Sequence, residues 1–200
     1  MIATEQLINT LCKTSTETLK EDLLSILANQ SYIEGKIILS SGKESNYYID
    51  GKQTTLHAKG STIISLLFLR MLKNDISAVG GLSVGADPLA SGVSQIGFLM
   101  GRQINAFYVR KEPKKHGTSK WIEGPMQTGS KVAILEDVVT TGASSLKAIE
   151  RVTEYGCAVG QVIAIVDRNE GGKELFKQKG FEYTYLFDIK EVIERAKKAG

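Results

Sequence analysis

The hydrophobic pattern of the first 56 residues changes from a helical period to an extended one. Apolar residues recur at the 3.6-residue spacing in residues 7–11 and again in residues 19–27, which predicts two short helices. Two segments rich in Tyr and Ile follow, Tyr32–Leu39 and Asn46–Asp50, and the polar run between them predicts a turn that joins two strands. We therefore expect residues 1–56 to form a small N-terminal α+β unit, termed the hood.

From residue 57 onward, short apolar runs alternate with amphipathic stretches, a pattern typical of a parallel sheet with crossover helices. Strands are predicted at Ile76–Gly80, Ile104–Val109, Lys131–Leu135, Gln161–Val166 and Tyr183–Phe187. Helices are predicted at Ala58–Lys73, Pro88–Gly101, Gly142–Tyr155, Gly172–Lys179 and Ile189–Lys198. The segment from Arg110 to Ser130 has no apolar periodicity and is predicted to be a long loop. The fold class is therefore α/β, with residues 57–200 as a parallel sheet flanked by helices that forms one structural domain with the hood.

Composition and charge limit the classes of function. The longest apolar stretch, residues 63–72, is far shorter than the roughly 20 residues that span a bilayer, so no membrane partner is expected. The N-terminus lacks a basic region followed by an apolar run, which predicts a cytoplasmic protein. The net charge is only +3, and the basic residues concentrate in residues 110–120, a patch that suits a small polyanion better than a nucleic acid. Cys12 and Cys157 are the only cysteines and are expected to be packing residues.

The sharpest local pattern is an apolar strand, Val132–Leu135, that ends in the acidic pair Glu136 and Asp137 and is followed by a hydroxyl-rich turn, Thr140–Ser144. Ligands of open α/β sheets bind beyond the carboxyl ends of the strands, and free N–H groups at the next helix N-terminus attract phosphate. The acidic pair would repel phosphate but accepts hydrogen bonds from sugar hydroxyls. Acids beside a phosphate cradle therefore indicate a sugar phosphate. The alternative is that the turn only caps a helix.

The stretch Val132–Ser145 closely resembles the motif with which type I phosphoribosyltransferases bind phosphoribosyl pyrophosphate (PRPP). Four apolar residues, two acids and two apolar residues precede Thr-x-Gly-x-[Thr/Ser], with Glu136 where that superfamily frequently has Asp. The resemblance implies a type I phosphoribosyltransferase-like fold. It also implies that PRPP contacts the motif residues Glu136, Asp137, Val138, Val139, Thr140, Thr141, Gly142, Ala143 and Ser144.

Other segments resemble those of orotate phosphoribosyltransferases in particular. Tyr108–Gly117 is similar to their mobile catalytic loop, Ser41–Asp50 to their N-terminal Ser-Gly-x-x-Ser-x-x-Tyr segment, and Val166–Gly172 to their Asp-Arg-x-Glu-Gly segment. Gly81–Ala90 occupies the place of their short PRPP loop. The resemblance implies transfer of ribose 5-phosphate from PRPP to orotate, which gives orotidine 5′-monophosphate and pyrophosphate in pyrimidine (UMP) synthesis.

Carried over by position, the resemblance implies two groups of side chains outside the motif. Those expected to contact pyrophosphate are Arg110, Lys111, Lys114, Lys115 and His116, and the expected catalytic residues are Lys111, Lys114, His116 and Asp137. Those expected to hold orotate are Tyr47, Tyr48, Thr140 and Arg168, since a guanidinium group pairs bidentately with a carboxylate. The alternatives are a solvated turn for Arg168, strand core for the tyrosines and an idle loop position for His116.

Two positions depart from the family pattern, because Ser40 and Gly85 stand where many members carry lysine. Lys43 is a candidate to supply part of the missing charge at the PRPP site. The resemblance also implies a Mg²⁺ ion bound mainly through PRPP, with no side chains dedicated to a metal, and a homodimer that shares the mobile loop across its interface.

Two other functions stay open at this stage. One is a phosphoribosyltransferase for another base, such as a purine, because the cradle contacts only the sugar phosphate. The other is a PRPP-sensing regulatory protein of the same fold that binds nucleic acid through its basic loop. Arg168 and the Tyr47–Tyr48 segment favour orotate, and the weak charge outside residues 110–120 counts against a nucleic acid partner.

Overall fold

The computed structural model describes residues 10–38, 44–113 and 120–199. Helical residues 10–13 precede helix α1 (Thr16–Ile26), whose first turn is capped where the Thr18 N–H donates to Ser15 Oγ. A π-helical turn (Leu27–Ser31) leads into antiparallel strands β1 (Tyr32–Ile38) and β2 (Glu44–Ile49). The described part of the hood therefore has the predicted helices and strand pair.

The rest of the chain alternates between helices and strands, as predicted. The helices are α2 (Gly51–Thr55), α3 (Ala58–Met71), α4 (Asp87–Leu99), α5 (Ala143–Glu154), α6 (Gly172–Gln178) and α7 (Ile189–Ala199). The strands are β3 (Ala78–Leu82), β4 (Asn105–Val109), β5 (Ile122–Glu123), β6 (Lys131–Val139), β7 (Ala158–Asp167) and β8 (Tyr183–Asp188). They form a sheet of order β5-β4-β3-β6-β7-β8, in which only β5 runs antiparallel to its neighbour. This confirms the α/β fold class.

Several element boundaries differ from the predicted ones by a few residues, and two of the differences bear on the site. Strand β6 does not end at Leu135 but continues to Val139, because β7 is long enough to pair with it as far as Asp167. The acidic pair therefore lies inside the strand rather than after it. The segment predicted to be a long loop contains β5, which is too short to give a periodic signal and is held by pairing with the end of β4.

Buried side chains cover both faces of the sheet, and β6 shows how. Val132 and Ile134 pack with buried residues of α5 on one face, whereas Ala133 and Leu135 pack with those of α3 and α4 on the other. Leucines of α1 belong to the second cluster, so the hood helix and the sheet share a core. Cys157 packs in the first cluster, as predicted. None of the described helices is long and apolar enough to cross a membrane.

Candidate active site

Four parallel strands, β3, β4, β6 and β7, end at the same edge of the sheet and border a cleft of about 800 Å³. The loop after each strand contributes to the lining, and the hood closes one side. The residues concerned are Ser83, Val84 and Gly85 after β3, Lys111 after β4, Thr140, Thr141 and Ser144 after β6, Arg168 and Glu170 after β7, and Tyr48 and Lys52 from the hood. The acidic pair of β6 lies among them.

The two acids of β6 contact different layers of the protein. Glu136 is only 7% exposed, and Ser145 Oγ of α5 donates a hydrogen bond to its Oε2 over 3.1 Å. Asp137 is enclosed by glycines instead: a Cβ on Gly51 would lie 2.8 Å from its Oδ2, and one on Gly85 would lie 2.9 Å from its Oδ1. Glycine at these two positions lets the hood and the loop after β3 approach the Asp137 carboxylate.

Burial dominates the electrostatics of this pair. It raises the pKa of Glu136 to about 8, with a further increase from the charge of Asp137, while the Ser145 hydrogen bond and the charge of Lys111 oppose the shift. Burial also raises the pKa of Asp137, against the hydrogen bond from the Val138 N–H and the charge of Lys52. Among the described residues, few hydrogen-bond donors reach these two buried carboxyl groups. Their oxygens can therefore accept hydrogen bonds from sugar hydroxyls.

The N-terminus of α5 forms a small hollow of about 80 Å³ bordered by residues 138–145 and Glu136. Gly142 adopts a left-handed conformation there, with a φ of 83°, and within the described part of the chain no side chain caps the helix. This removes the alternative in which the hydroxyl-rich turn serves only as a cap. The free N–H groups of the first turn can bind a phosphate instead.

Arg168 is nearly buried at the end of β7, with its side chain 8% exposed. Its backbone N–H donates to the Val139 carbonyl, its Nη2 lies 2.9 Å from Glu170 Oε1, and its guanidinium carbon lies 5.0 Å from the centre of the Tyr47 ring. Its Nε is buried and has no hydrogen-bond partner among the described residues. The guanidinium group therefore keeps an unsatisfied donor, which a planar carboxylate in the cleft could satisfy.

Comparison with known proteins decides the family. No protein-family model matches the chain. The orotate phosphoribosyltransferase of a Nostoc species is 44% identical over 184 residues, which are 92% of this chain and 89% of that protein. The chain belongs to the orotate phosphoribosyltransferase family. Among solved structures, the Mycobacterium tuberculosis orotate phosphoribosyltransferase in complex with Fe(III) dicitrate superposes with a TM-score of 0.79 at 36% identity, covering 87% of this chain and 98% of that one. The same enzyme in complex with PRPP gives a TM-score of 0.75 at 34% identity, again covering 87% and 98%.

The structure brings most of the residues expected from the family pattern to one place. Those that line the cleft are Tyr48, Lys111, Glu136, Asp137, Val138, Thr140, Thr141, Ser144 and Arg168, and Val139, Gly142 and Ala143 border the hollow at the α5 N-terminus. Tyr47 does not line the cleft but packs against Arg168. Arg110 is exposed beside a neighbouring groove, with Nη1 3.4 Å from Glu123 Oε1. Lys43, Lys114, Lys115 and His116, together with Ser40, lie outside the described residues.

Three polar residues at the site were not among those predicted from the family pattern. Ser145 is the last residue of the motif stretch and reaches Glu136 beside the hollow, Glu170 holds the Arg168 guanidinium, and Lys52 lines the hood side of the cleft. Glu170 lies within the segment that resembles the family's Asp-Arg-x-Glu-Gly pattern, so its sequence signal was present. Lys52 has no such signal, because only the packing of α2 against β6 brings it to the site.

Proposed function

We propose that this protein transfers ribose 5-phosphate from PRPP to a ring nitrogen of orotate, giving orotidine 5′-monophosphate and pyrophosphate for pyrimidine synthesis. The observation that carries the proposal is a single cleft lined by a buried acidic pair, by residues of a helix N-terminus that no described side chain caps, and by an arginine whose Nε has no partner among the described residues. A sugar phosphate fits the first two features, and the orotate carboxylate fits the third.

Each group in the cleft has a task in this reaction. The α5 N-terminus and the hydroxyls of Thr140, Thr141 and Ser144 would bind the 5-phosphate. Glu136 and Asp137 would accept hydrogen bonds from the ribose hydroxyls and oppose the positive charge that grows at the anomeric carbon. Arg168, held by Glu170 and Tyr47 and aided by Tyr48, would orient orotate.

The reaction breaks the bond between the anomeric carbon and pyrophosphate, whose oxygen keeps the electron pair, and forms a bond from a ring nitrogen that loses its proton. Positive charge near the leaving oxygens lowers this barrier. We propose that Lys111, which lines the cleft, supplies this charge together with Lys114 and His116, with Arg110, Lys115 and Lys43 as further contacts. Closure of the loop that carries Lys114 and His116 would exclude water and so suppress PRPP hydrolysis.

We also propose that Mg²⁺ enters with PRPP. Among the described residues, no group of three or more His, Cys, Asp or Glu side chains could hold a metal ion. An ion coordinated mainly by PRPP would need no such group, and the carboxyl groups of Glu136 and Asp137 in the cleft lining are oxygen ligands of the kind that Mg²⁺ prefers. When bound, Mg²⁺ would neutralise part of the charge on the departing pyrophosphate.

A homodimer with a shared loop and a cytoplasmic location complete the proposal. The shared loop can be tested by mixing two inactive variants, Lys114→Ala and Arg168→Ala. If Lys114 acts in the partner's site, each mixed dimer regains one complete site, and activity should return to about a quarter of the wild-type value. If Lys114 acts in its own subunit, mixing restores nothing and the shared loop is wrong.

The function itself is tested by the loss of orotate absorbance with purified protein, PRPP and Mg²⁺, run beside adenine, hypoxanthine, xanthine and uracil. Turnover of orotate alone, with release of pyrophosphate, is the expected result. Turnover of another base in its place would keep the sugar phosphate site but contradict the proposed base site. No turnover with any base would contradict the enzymatic function and favour a PRPP-sensing protein.

A further inference from the structure

The hood contributes a cation to the cleft that belongs to none of the family segments identified in the sequence. Strand β2 ends at Ile49, and Asp50 begins α2 by accepting a hydrogen bond from the Lys52 N–H. Gly51 then packs so tightly on Asp137 that a Cβ there would lie 2.8 Å from the Asp137 Cβ. This contact brings the next residue, Lys52, into the lining of the cleft.

The described part of the cleft offers few cations to a pyrophosphate group. Arg168 is already paired with Glu170, and within the described part of the chain Lys52 and Lys111 are the only lysines in the lining. The two lysines affect different acids: the charge of Lys111 lowers the pKa of Glu136, and the charge of Lys52 lowers the pKa of Asp137. A pyrophosphate group carries several negative charges next to these two acids, so Lys52 would add to the positive charge that Lys111 and the other proposed contacts supply.

The loop after β3 cannot supply the missing charge from Gly85. A side chain at that position would begin 2.9 Å from Asp137 Oδ1, so it could not enter without displacing the carboxylate. Gly51 and Gly85 flank the two oxygens of the same carboxylate. Lys52 therefore lies beside the part of the cleft where many family members carry lysine and this chain carries glycine.

We propose that Lys52 is a substrate-binding residue that contacts the pyrophosphate group of PRPP from the hood side of the cleft. This inference rests on the proposed function. In the free protein the Lys52 ammonium group lies 2.6 Å from Asp50 Oδ1, which keeps it at the edge of the cleft. The ammonium group has three donors, so it can contact a phosphate oxygen while it retains Asp50.

The local structure does not need this lysine. Its side chain is 44% exposed, and an exposed ion pair two residues apart contributes little to folding. The hydrogen bond that starts α2 comes from the Lys52 backbone, which any substitution except proline retains. Removal of the side chain should therefore change binding without unfolding the hood.

The test compares Lys52→Met with Lys59→Met, an exposed lysine on α3 whose Nζ lies 2.8 Å from Asp22 Oδ2. Calorimetric titrations of the full protein use magnesium pyrophosphate and orotidine 5′-monophosphate, which has no pyrophosphate group. We expect Lys52→Met to weaken pyrophosphate binding and raise the KM for PRPP by about 10-fold or more, with a change below about two-fold for the mononucleotide. Lys59→Met should match the wild type, and Lys52→Arg, which keeps the charge, should restore most of the binding.

Pyrophosphate binding by Lys52→Met within two-fold of the wild type would overturn the inference. Equal weakening of pyrophosphate and mononucleotide binding would also overturn it, because that result indicates general damage to the cleft. Failure of the proposed function is distinguished by the wild-type protein, which would then not convert orotate and PRPP, whatever Lys52→Met does to pyrophosphate binding.

Discussion

The Arg168 guanidinium carbon lies 5.0 Å from the centre of the Tyr47 ring, so the end of β7 contacts the hood strand β2 beside the cleft. Tyr47 in turn stacks on Tyr32, with ring centroids 6.1 Å apart. A cation over an aromatic face is attracted to it, and Glu170 fixes the guanidinium from another side. Arg168 is therefore positioned by the hood as well as by the sheet.

Replacement of Arg168 by lysine should raise the KM for orotate by about 10-fold or more and affect the KM for PRPP much less. Lysine keeps the charge but loses the planar pair of donors that matches a carboxylate. Steady-state kinetics with each substrate varied in turn measures this. Arg195→Lys is the control, because this arginine pairs with Glu21 and does not line the cleft. An unchanged KM for orotate in Arg168→Lys would contradict the base site.

The Lys111→Ala variant should lose about 100-fold in the rate of the chemical step and much less in PRPP affinity. The reason is that charge near the leaving pyrophosphate matters most in the transition state. Single-turnover experiments at saturating PRPP measure the chemical step directly. Lys147→Ala, an exposed lysine of α5 outside the cleft, should behave like the wild type. A wild-type single-turnover rate in Lys111→Ala would exclude this role.

Glu136 should make the free protein less stable as the pH rises. Its pKa is about 8 in the fold against 4.5 for an ordinary Glu, so the native state holds the proton longer than the unfolded chain does. The stability that this group contributes is complete below about pH 4.5 and is lost as the pH rises toward 8. Thermal melts from pH 5 to pH 9 should show Glu136→Gln equal to wild type at pH 5 and higher in Tm at pH 8, by on the order of 5 °C. If the difference in Tm between Glu136→Gln and the wild type is the same from pH 5 to pH 9, the pKa of Glu136 is not raised in the fold.

Ser145→Ala should shift the activity profile to higher pH. The Ser145 hydroxyl lowers the pKa of Glu136 by donating to its carboxylate, so its loss leaves Glu136 protonated over a wider range. At pH 7, kcat/KM for PRPP should fall by about 10-fold and recover partly as the pH rises. Ser65→Ala, at a buried serine of α3 whose Oγ donates to the Ser61 carbonyl, is the matched control. A uniform loss at every pH would mean that Ser145 acts only in packing.

Gly85→Ala should impair PRPP binding although it adds a single methyl group. The new carbon would press on the Asp137 carboxylate from 2.9 Å and displace it from its position in the cleft. We expect kcat/KM for PRPP to fall by about 10-fold or more while Tm changes little. Gly101→Asn, at a left-handed position with open space around it, is the control. Normal kinetics in Gly85→Ala would show that the loop after β3 can move away from the acid.

The sequence could predict the sheet, the acidic pair and the phosphate cradle because these depend on local period and on contiguous residues. It could not place Lys52 or Ser145. Lys52 reaches the cleft through the close approach of Gly51 to Asp137, and Ser145 reaches Glu136 because α5 folds back over β6. Both contacts join different elements, and no spacing along the chain encodes them. The extension of β6 was missed for the same reason, since pairing with β7 outweighs the polarity of Glu136 and Asp137.

The division of the acidic pair between two layers has a consequence for transplanting this site. Glu136 obtains its partner from α5, whereas Asp137 is enclosed by the hood and the loop after β3. A designer who grafts the fourteen-residue motif onto another α/β scaffold would bring one acid with its support and leave the other without any. The smallest portable unit is thus discontinuous: the motif strand with its helix, the β3 loop, and the short turn around Gly51.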